Sequence, residues 1–277
     1  MSKTANEFFY PSNIQEFFGL LNRFEVADIF SCEAGQIMEQ HGRALTLPKI
    51  IVSMDKLTEM HSINRTERYI EIGSMVNINQ IFRLGKIIPL ALRWTLDNLY
   101  SRLLRKTLSL GGVICQTSCF DPLTAPLVAL DARYELRTNT QSRWISAVRL
   151  TCPDKADVFH PREILYRVRI PLEQWDFTLC RRFEAINRDE TGNGVIVFLA
   201  RIQNDILSDV RVVYSGEGIL RDRNCETSLI GKKLPLARKD AAAFTNLWKN
   251  RIDENYPPFL RSRIFSFIEK TIMHFAD

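Results

Sequence analysis

The chain has 277 residues, 45% of them hydrophobic and 25% charged, with a formal net charge of +5. This composition excludes disordered and fibrous proteins, and the length indicates two packed units or three small ones. The basic residues are spread along the chain instead of clustering with aromatic residues, which disfavours a nucleic-acid binder. No apolar run approaches the roughly 18 residues of a membrane helix, and the N-terminus lacks the layout of a signal peptide, so we expect a cytoplasmic protein without a membrane segment.

The first third of the chain predicts short strands and helices in alternation. Apolar residues at helical spacing between 14 and 21 predict a helix with Ser12 as its N-cap. Residues 50–52 predict a buried strand, and Ile63 with residues 69–72 predicts a hairpin. Residues 73–78 are expected to start the next helix.

The middle of the chain contains a glycine pair between two apolar segments. Leucines at three- and four-residue spacing predict one helix that opens near Pro89 and carries Leu92, Leu96, Leu99, Leu103 and Leu104. Gly111 and Gly112 follow, and because they lack a Cβ their backbone can adopt positive φ and approach a bulky anion. A glycine pair is also common in tight turns, so that reading stays open.

The rest of the chain predicts two sheets and further helices. Residues 131–150 alternate like a hairpin, and residues 164–170 alternate like a strand. After Trp175, residues 195–202 and 210–214 predict a small antiparallel sheet. Helices are expected over residues 239–252 and at the C-terminus, ending near Met273.

The segments in this order resemble the FAD-binding medium subunit of molybdenum hydroxylases, the family of xanthine dehydrogenase and carbon monoxide dehydrogenase. Ser109-Leu110-Gly111-Gly112 resembles its Thr/Ser-Ile/Val-Gly-Gly-Asn motif, and residues 128–132, Val-Ala-Leu-Asp-Ala, resemble the Leu-Leu-Ala-Leu-Asp-Ala run that follows. Residues 163–171 resemble Glu-Ile-Leu-x-x-Ile-x-Ile-Pro, and Ile72-Gly73-Ser74 resembles Ile-Gly-Ala before a Thr or Asn helix cap.

The resemblance implies a cofactor site for FAD that is built from three places. A first loop would wrap the FAD pyrophosphate, a second flavin loop contains the glycine pair, and a strand residue lies beside the isoalloxazine. The residues implied are Cys32, Glu33, Ala34, Gly35 and Gln36 in the first loop, Ser109, Gly111, Gly112, Gln116, Ser118 and Asp121 in the second, and Leu165 on the strand.

The resemblance also implies a fold and a function. The fold is α+β, with a PCMH-type FAD-binding domain at 1–172, composed of two α+β subdomains at about 1–54 and 55–172, and a small C-terminal domain at 173–277 with a three-stranded antiparallel sheet and helices. The chain would be an oxidoreductase subunit of a hetero-oligomer. It would pass electrons from iron-sulfur clusters of a small partner subunit through FAD to NAD or another acceptor, while a molybdopterin large subunit hydroxylates the substrate. It would have no catalytic residue or metal of its own.

Three departures from the family pattern leave a second hypothesis open beside the FAD subunit, namely a structural subunit of the same type of complex that has lost flavin. Glu33 would place a carboxylate beside the pyrophosphate, where each like-charge contact at about 4 Å costs about 4 kcal/mol at an effective dielectric near 20. Val113 replaces the family Asn and Thr178 replaces a Lys, so two polar partners of the cofactor are missing.

Overall fold

The computed structural model describes residues 6–24, 27–30, 47–116, 121–151, 155–184, 193–216, 218–252 and 256–276. The chain divides into two compact units. The first comprises residues 1–88, 96–118 and 130–172, and the second comprises residues 89–95, 119–129 and 173–277.

The first unit opens with a parallel three-stranded sheet. Its elements are β1 (Glu7–Phe9), α1 (Ile14–Arg23), β2 (Asp28–Phe30) and β3 (Ile50–Ser53), and the strand order is β1-β3-β2. The apolar face of α1 packs with Val52 and Met60 in a buried cluster, as its helical periodicity predicts. The N-cap is Asn13, whose side chain accepts from the Glu16 amide, and not Ser12 as predicted.

The same unit contains a second, antiparallel sheet of five strands, in the order β4-β5-β8-β6-β7. Its inner face carries apolar residues such as Ile70 and Val168, while its outer face carries partly buried charges. There the Glu71 carboxylate accepts from Arg169 at 2.6 Å, and the Arg169 guanidinium lies 4.2 Å from the centroid of the Trp144 ring. Along the chain, the elements from β4 to β8 are β4 (Ile63–Arg65), β5 (Tyr69–Gly73), α2 (Ile78–Arg83), α3 (Leu90–Leu99), α4 (Arg102–Thr107), α5 (Leu110–Cys115), α6 (Thr124–Ala129), β6 (Arg133–Arg137), β7 (Ser142–Ser146), α7 (Lys155–Val158) and β8 (Ile164–Pro171). Of these, α6 and the first part of α3 belong to the second unit.

The leucine-rich segment forms two helices, α3 and α4, and the prediction of one continuous helix is wrong. The chain breaks at Tyr100 and Ser101, and the Ser101 side chain caps α4 by accepting from the Leu104 amide at 3.3 Å. Leu103, which the spacing places on the buried face of a single helix, is instead 71% exposed. The new cap restarts the helical register, so the second group of leucines faces a different direction.

The second unit is a small antiparallel sheet covered by helices. Two helices, α9 and α10, pack on one sheet face with Phe244 and Trp248 fully buried. The short helix α6 packs against β10 and β11, and its Ala129 carbonyl accepts from Arg211 at 2.8 Å. The elements are β9 (Phe177–Phe183), β10 (Gly194–Gln203), β11 (Ile206–Ser215), β12 (Ile219–Leu220), α8 (Arg223–Thr227), α9 (Arg238–Arg251) and α10 (Pro258–Met273), with strand order β12-β11-β10-β9.

These features confirm the predicted α+β class with a small antiparallel sheet near the C-terminus. Three long strands form that sheet as expected, and the two-residue strand β12 adds a short fourth. None of the helices that the structure describes has both the length and the apolar character required to cross a membrane.

Candidate functional site

A cavity of about 240 Å³ lies in the first unit. Residues from separate parts of the chain line this cavity, namely from β2, from the position after β5, from helix α5 and from the start of β8. Among the described residues, those that line it are Ile29, Met54, Ser74, Gly111, Cys115, Phe159, Glu163, Ile164 and Leu165. Gly111 and Leu165, two of the predicted site residues, therefore line one cavity.

The glycine pair lies in the first turn of helix α5, and not in a loop with positive φ as expected. Ser109 is the N-cap, and its hydroxyl accepts from the Gly112 amide at 3.0 Å. The Gly111 amide donates to the Ser74 carbonyl at 2.7 Å, and the Leu110 amide donates to the Val76 carbonyl at 2.9 Å. These amides are thus already used inside the protein, so this turn does not offer them to a phosphate.

Gly111 is required by close packing. A Cβ at Gly111 would lie 2.7 Å from the Ser74 Cβ, closer than real Cβ contacts, and 3.0 Å from the Ser74 carbonyl oxygen, which is tighter than most of them. The absence of a side chain lets α5 approach the segment that follows β5. The same close approach places Gly111 and Cys115 on the cavity wall.

Ser74 is a lining residue that the sequence reasoning did not select. Its side chain is buried, with 1% of the residue exposed, and its Oγ has no hydrogen-bond partner within the described part of the chain. A buried polar atom left unsatisfied costs about 1–3 kcal/mol. The sequence did contain a signal that could have identified Ser74. Its hydroxyl stands where the family that this chain resembles has Ala.

A buried carboxylate forms another part of the wall. The side chain of Glu163 is 3% exposed, and its oxygens accept from Arg143 Nε at 2.8 Å and Nη2 at 2.7 Å. The His160 amide adds a third hydrogen bond at 2.9 Å. Burial alone would raise the pKa of Glu163, but the hydrogen bonds from Arg143 and His160 outweigh it and hold this pKa below its ordinary value. Glu163 is therefore ionised near neutral pH.

The remaining predicted residues lie elsewhere or outside the described residues. Gln116 is the C-cap residue of α5. Asp121 is 3% exposed, belongs to the second unit, and accepts from the Leu123 amide at 2.8 Å through Oδ1. Ser118 and the first-loop residues Cys32, Glu33, Ala34, Gly35 and Gln36 lie outside the described residues.

The two substituted positions of the family pattern are also placed by the fold. Val113 is 2% exposed in the core and is not among the described lining residues, so its side chain is a packing group. Thr178 is partly buried on β9 in the second unit, paired with Leu199. Neither residue contributes to the cavity wall.

The cavity fits part of a flavin dinucleotide. Its volume is slightly below the 300–1,000 Å³ of typical ligand pockets, so it accommodates a fragment and not the whole molecule. Apolar groups dominate the described lining, with the unsatisfied Ser74 hydroxyl and the Glu163 carboxylate as polar points and no lysine or arginine. This chemistry suits a flat ring system with polar edges better than a diphosphate. The described residues contain no group of three or more His, Cys, Asp or Glu side chains arranged to hold a metal ion.

Comparisons with known proteins agree with this chemistry. The sequence model of the family described as "FAD binding domain in molybdopterin dehydrogenase" matches residues 3–173. A xanthine dehydrogenase from Oryza sativa subsp. japonica is 27% identical over 205 residues, which cover 67% of this chain and 15% of that protein. The chain thus spans less than a sixth of that relative's length.

Solved structures share the fold over the whole chain. Quinoline 2-oxidoreductase from Pseudomonas putida 86 matches with a TM-score of 0.79 at 18% identity, over 100% of this chain and 98% of that one. Carbon monoxide dehydrogenase from Hydrogenophaga pseudoflava matches with a TM-score of 0.77 at 16% identity, over 99% and 96%. The CO dehydrogenase from Oligotropha carboxidovorans matches with a TM-score of 0.78 at 16% identity, over 100% and 99%. With the family model covering more than half of its length, the chain belongs to the family of FAD-binding domains of molybdopterin dehydrogenases.

Proposed function

We propose that this chain is the FAD-carrying electron-transfer subunit of a molybdenum hydroxylase, and that its cavity holds the flavin ring. Bound FAD would supply the redox chemistry, accepting electrons one or two at a time. The chain's own residues bind the ring, fix its orientation and limit its contact with water. The observation that carries the proposal is the meeting of Gly111, Leu165 and Ser74 on one cavity, with the Ser74 hydroxyl buried and without a hydrogen-bond partner among the described residues.

The lining residues have distinct roles in this proposal. Ile29 and Leu165 give apolar surface on which a flat ring packs, and burial of such surface is worth about 25 cal/mol per Å². Gly111 keeps α5 close to the cavity. Glu163 is locked by Arg143, which also donates to the Val158 carbonyl at 2.6 Å, so the segment before β8 is fixed next to the ring.

The diphosphate of FAD would lie outside this cavity. The described wall presents a carboxylate and no cation, and the first-turn amides of α5 donate within the protein. A dianion therefore meets no cation among the described lining residues, and the one charged group there, Glu163, is a carboxylate already paired with Arg143. We assign the diphosphate to the predicted first loop, where the family resemblance also places it. The neutral side chain of Ser118 would add a donor to it.

The partners follow from the family and from what this chain lacks in sequence. The chain spans 15% of the xanthine dehydrogenase that it resembles, and its sequence has no Cys-x4-Cys-x2-Cys cluster motif. We assign the clusters to an iron-sulfur small subunit and substrate hydroxylation to a molybdopterin large subunit. The final acceptor would be NAD or another oxidant. The chain would not hydroxylate substrate by itself.

One observation favours a second candidate, a flavin-free structural subunit of the same kind of complex. The amides of residues 110–113 all donate within the protein, and Val113, which replaces the family Asn, is buried in the core, so this turn offers a cofactor neither a backbone amide nor an Asn side chain. In this alternative the fold is kept for assembly alone.

A titration of the purified chain with FAD separates the two candidates. Flavin fluorescence should be quenched with saturation at a defined stoichiometry. Cys115→Phe should weaken binding at least tenfold, because Cys115 is an exposed lining residue and a larger side chain there fills the cavity without disturbing the core. Cys115→Ser, which keeps the size, is the matched control and should bind like the wild type. Absence of saturable quenching by the wild type would support the structural subunit.

A further inference from the structure

The Ser74 side chain is held in place at the junction of two elements. Its amide donates to the Tyr166 carbonyl of β8 at 3.0 Å, and its carbonyl accepts from the Gly111 amide of α5 at 2.7 Å. The close packing against Gly111 fixes its Cβ as well. Only rotation about χ1 can therefore move the hydroxyl.

The Ser74 hydroxyl makes no hydrogen bond to the described residues, so they give it no role in stabilising the fold. Its Oγ is buried and unpartnered within the described part of the chain, while other serines nearby are satisfied, such as Ser62, whose hydroxyl donates to the Glu59 carbonyl at 2.9 Å. An unsatisfied buried hydroxyl lowers stability, whereas Ala in its place would not. A ligand in the cavity that Ser74 lines would supply the missing partner once rotation about χ1 turns the hydroxyl toward it.

We propose that Ser74 is a further flavin-binding residue, whose hydroxyl hydrogen-bonds a polar edge of the isoalloxazine. The assignment rests on the proposed function and deepens it, because it names a residue that orients the ring. The ring, and not the diphosphate or the adenosine, is the partner. The lining beside Ser74 is apolar apart from the Glu163 carboxylate, Cys115 and this hydroxyl, and it includes no cation among the described residues.

Two measurements on Ser74→Ala test the assignment. The Kd for FAD should rise about fivefold, which corresponds to about 1 kcal/mol for one neutral hydrogen bond. The urea midpoint of the FAD-free protein should stay the same or rise, because the variant removes an unsatisfied hydroxyl. The matched control is Ser62→Ala, which removes a satisfied exposed hydroxyl and should leave the Kd unchanged.

Riboflavin distinguishes the ring from the rest of the cofactor. It carries the same ring without the diphosphate and the adenosine, so Ser74→Ala should weaken its binding by the same factor as that of FAD. A variant that loses FAD affinity but keeps riboflavin affinity would overturn the contact with the ring. An unchanged Kd for both, with lower stability of the FAD-free form, would mean that the hydroxyl serves the fold and would overturn the assignment.

The binding measurements distinguish a failure of the Ser74 assignment from a failure of the proposed function. If the wild type binds FAD and Ser74→Ala binds it equally well, only the role of Ser74 is wrong. If the wild type binds neither FAD nor riboflavin, the proposed function fails and the Ser74 assignment fails with it.

Discussion

At the scale of single residues, two glycines illustrate opposite reasons for lacking a Cβ. A Cβ at Gly73 would lie 2.1 Å from the Met60 carbonyl oxygen and 2.5 Å from its carbon, so the backbone itself would have to move. Gly19 has nothing within 4 Å of the same position and lies inside α1. One glycine is required by packing and the other weakens its helix.

Alanine substitution at these two positions should change stability in opposite directions. Gly73→Ala should lower the free energy of unfolding by about 1–3 kcal/mol through overpacking next to the cavity. Gly19→Ala should raise it by about 0.5–1 kcal/mol, because alanine is the better helix former. Urea unfolding measures both values. Equal effects of the two variants would contradict the close contact at Gly73.

The Glu163 carboxylate predicts a specific pH dependence of stability. Its pKa is lowered in the folded protein, so its stabilising contribution is fully present above the ordinary value of 4.5 and is lost as the pH falls through the lowered pKa. Glu163→Gln should therefore be less stable than the wild type at pH 7, and the difference should shrink in acid. Unfolding free energies measured from pH 7 down to pH 3 provide the test. A difference that stays constant over this range would show that the ion pair with Arg143 does not set the pKa.

At the scale of elements, the starts of α2 and α5 are tied together. Asn77 caps α2 in a capping box with Gln80, and Ser109 caps α5. The backbones of Asn77 and Ser109 form an isolated antiparallel bridge, and the Ile78 amide donates to the Leu108 carbonyl at 3.0 Å. The first turn of the cavity helix is thus supported by the first turn of another helix.

A double-mutant cycle on the two caps tests this coupling. Asn77→Ala and Ser109→Ala should each lower the free energy of unfolding by about 1 kcal/mol, the usual value of an N-cap. The double variant should depart from the sum by at least about 0.5 kcal/mol, because the bridge lets the loss of one cap loosen the other. Strict additivity would mean that the two helix starts are energetically independent.

At the scale of the whole molecule, local periodicity was sufficient for the fold class but not for the site. The strand β8 and the helix α10 follow from alternation and helical spacing, which are local signals. The break at Ser101 was missed because a serine within a leucine repeat does not show by spacing alone that its side chain will cap a new helix.

The candidate site was predicted only in part, because local spacing does not show contacts between residues that are far apart in sequence. Gly111 was selected as part of the glycine pair and Leu165 through the family resemblance, and both line one cavity in the fold. The use of the Gly111 amide and the burial of the Ser74 hydroxyl both arise from a contact between residues far apart in sequence. No local sequence pattern indicates such a contact. The helical conformation of the glycine pair and the burial of the Ser74 hydroxyl could therefore be identified only from the structure.

The central claim, that the cavity holds the flavin ring, is tested most directly by the reactivity of Cys115. This thiol is exposed at the end of α5 and lines the cavity, whereas Cys225 is buried with its pKa raised to about 11 by burial. Alkylation with iodoacetamide, followed by mass spectrometry of each cysteine peptide, gives the rate at Cys115 with and without saturating FAD. We predict that FAD slows this alkylation at least tenfold. Saturable binding of FAD with an unchanged rate at Cys115 would place the cofactor elsewhere and contradict the account.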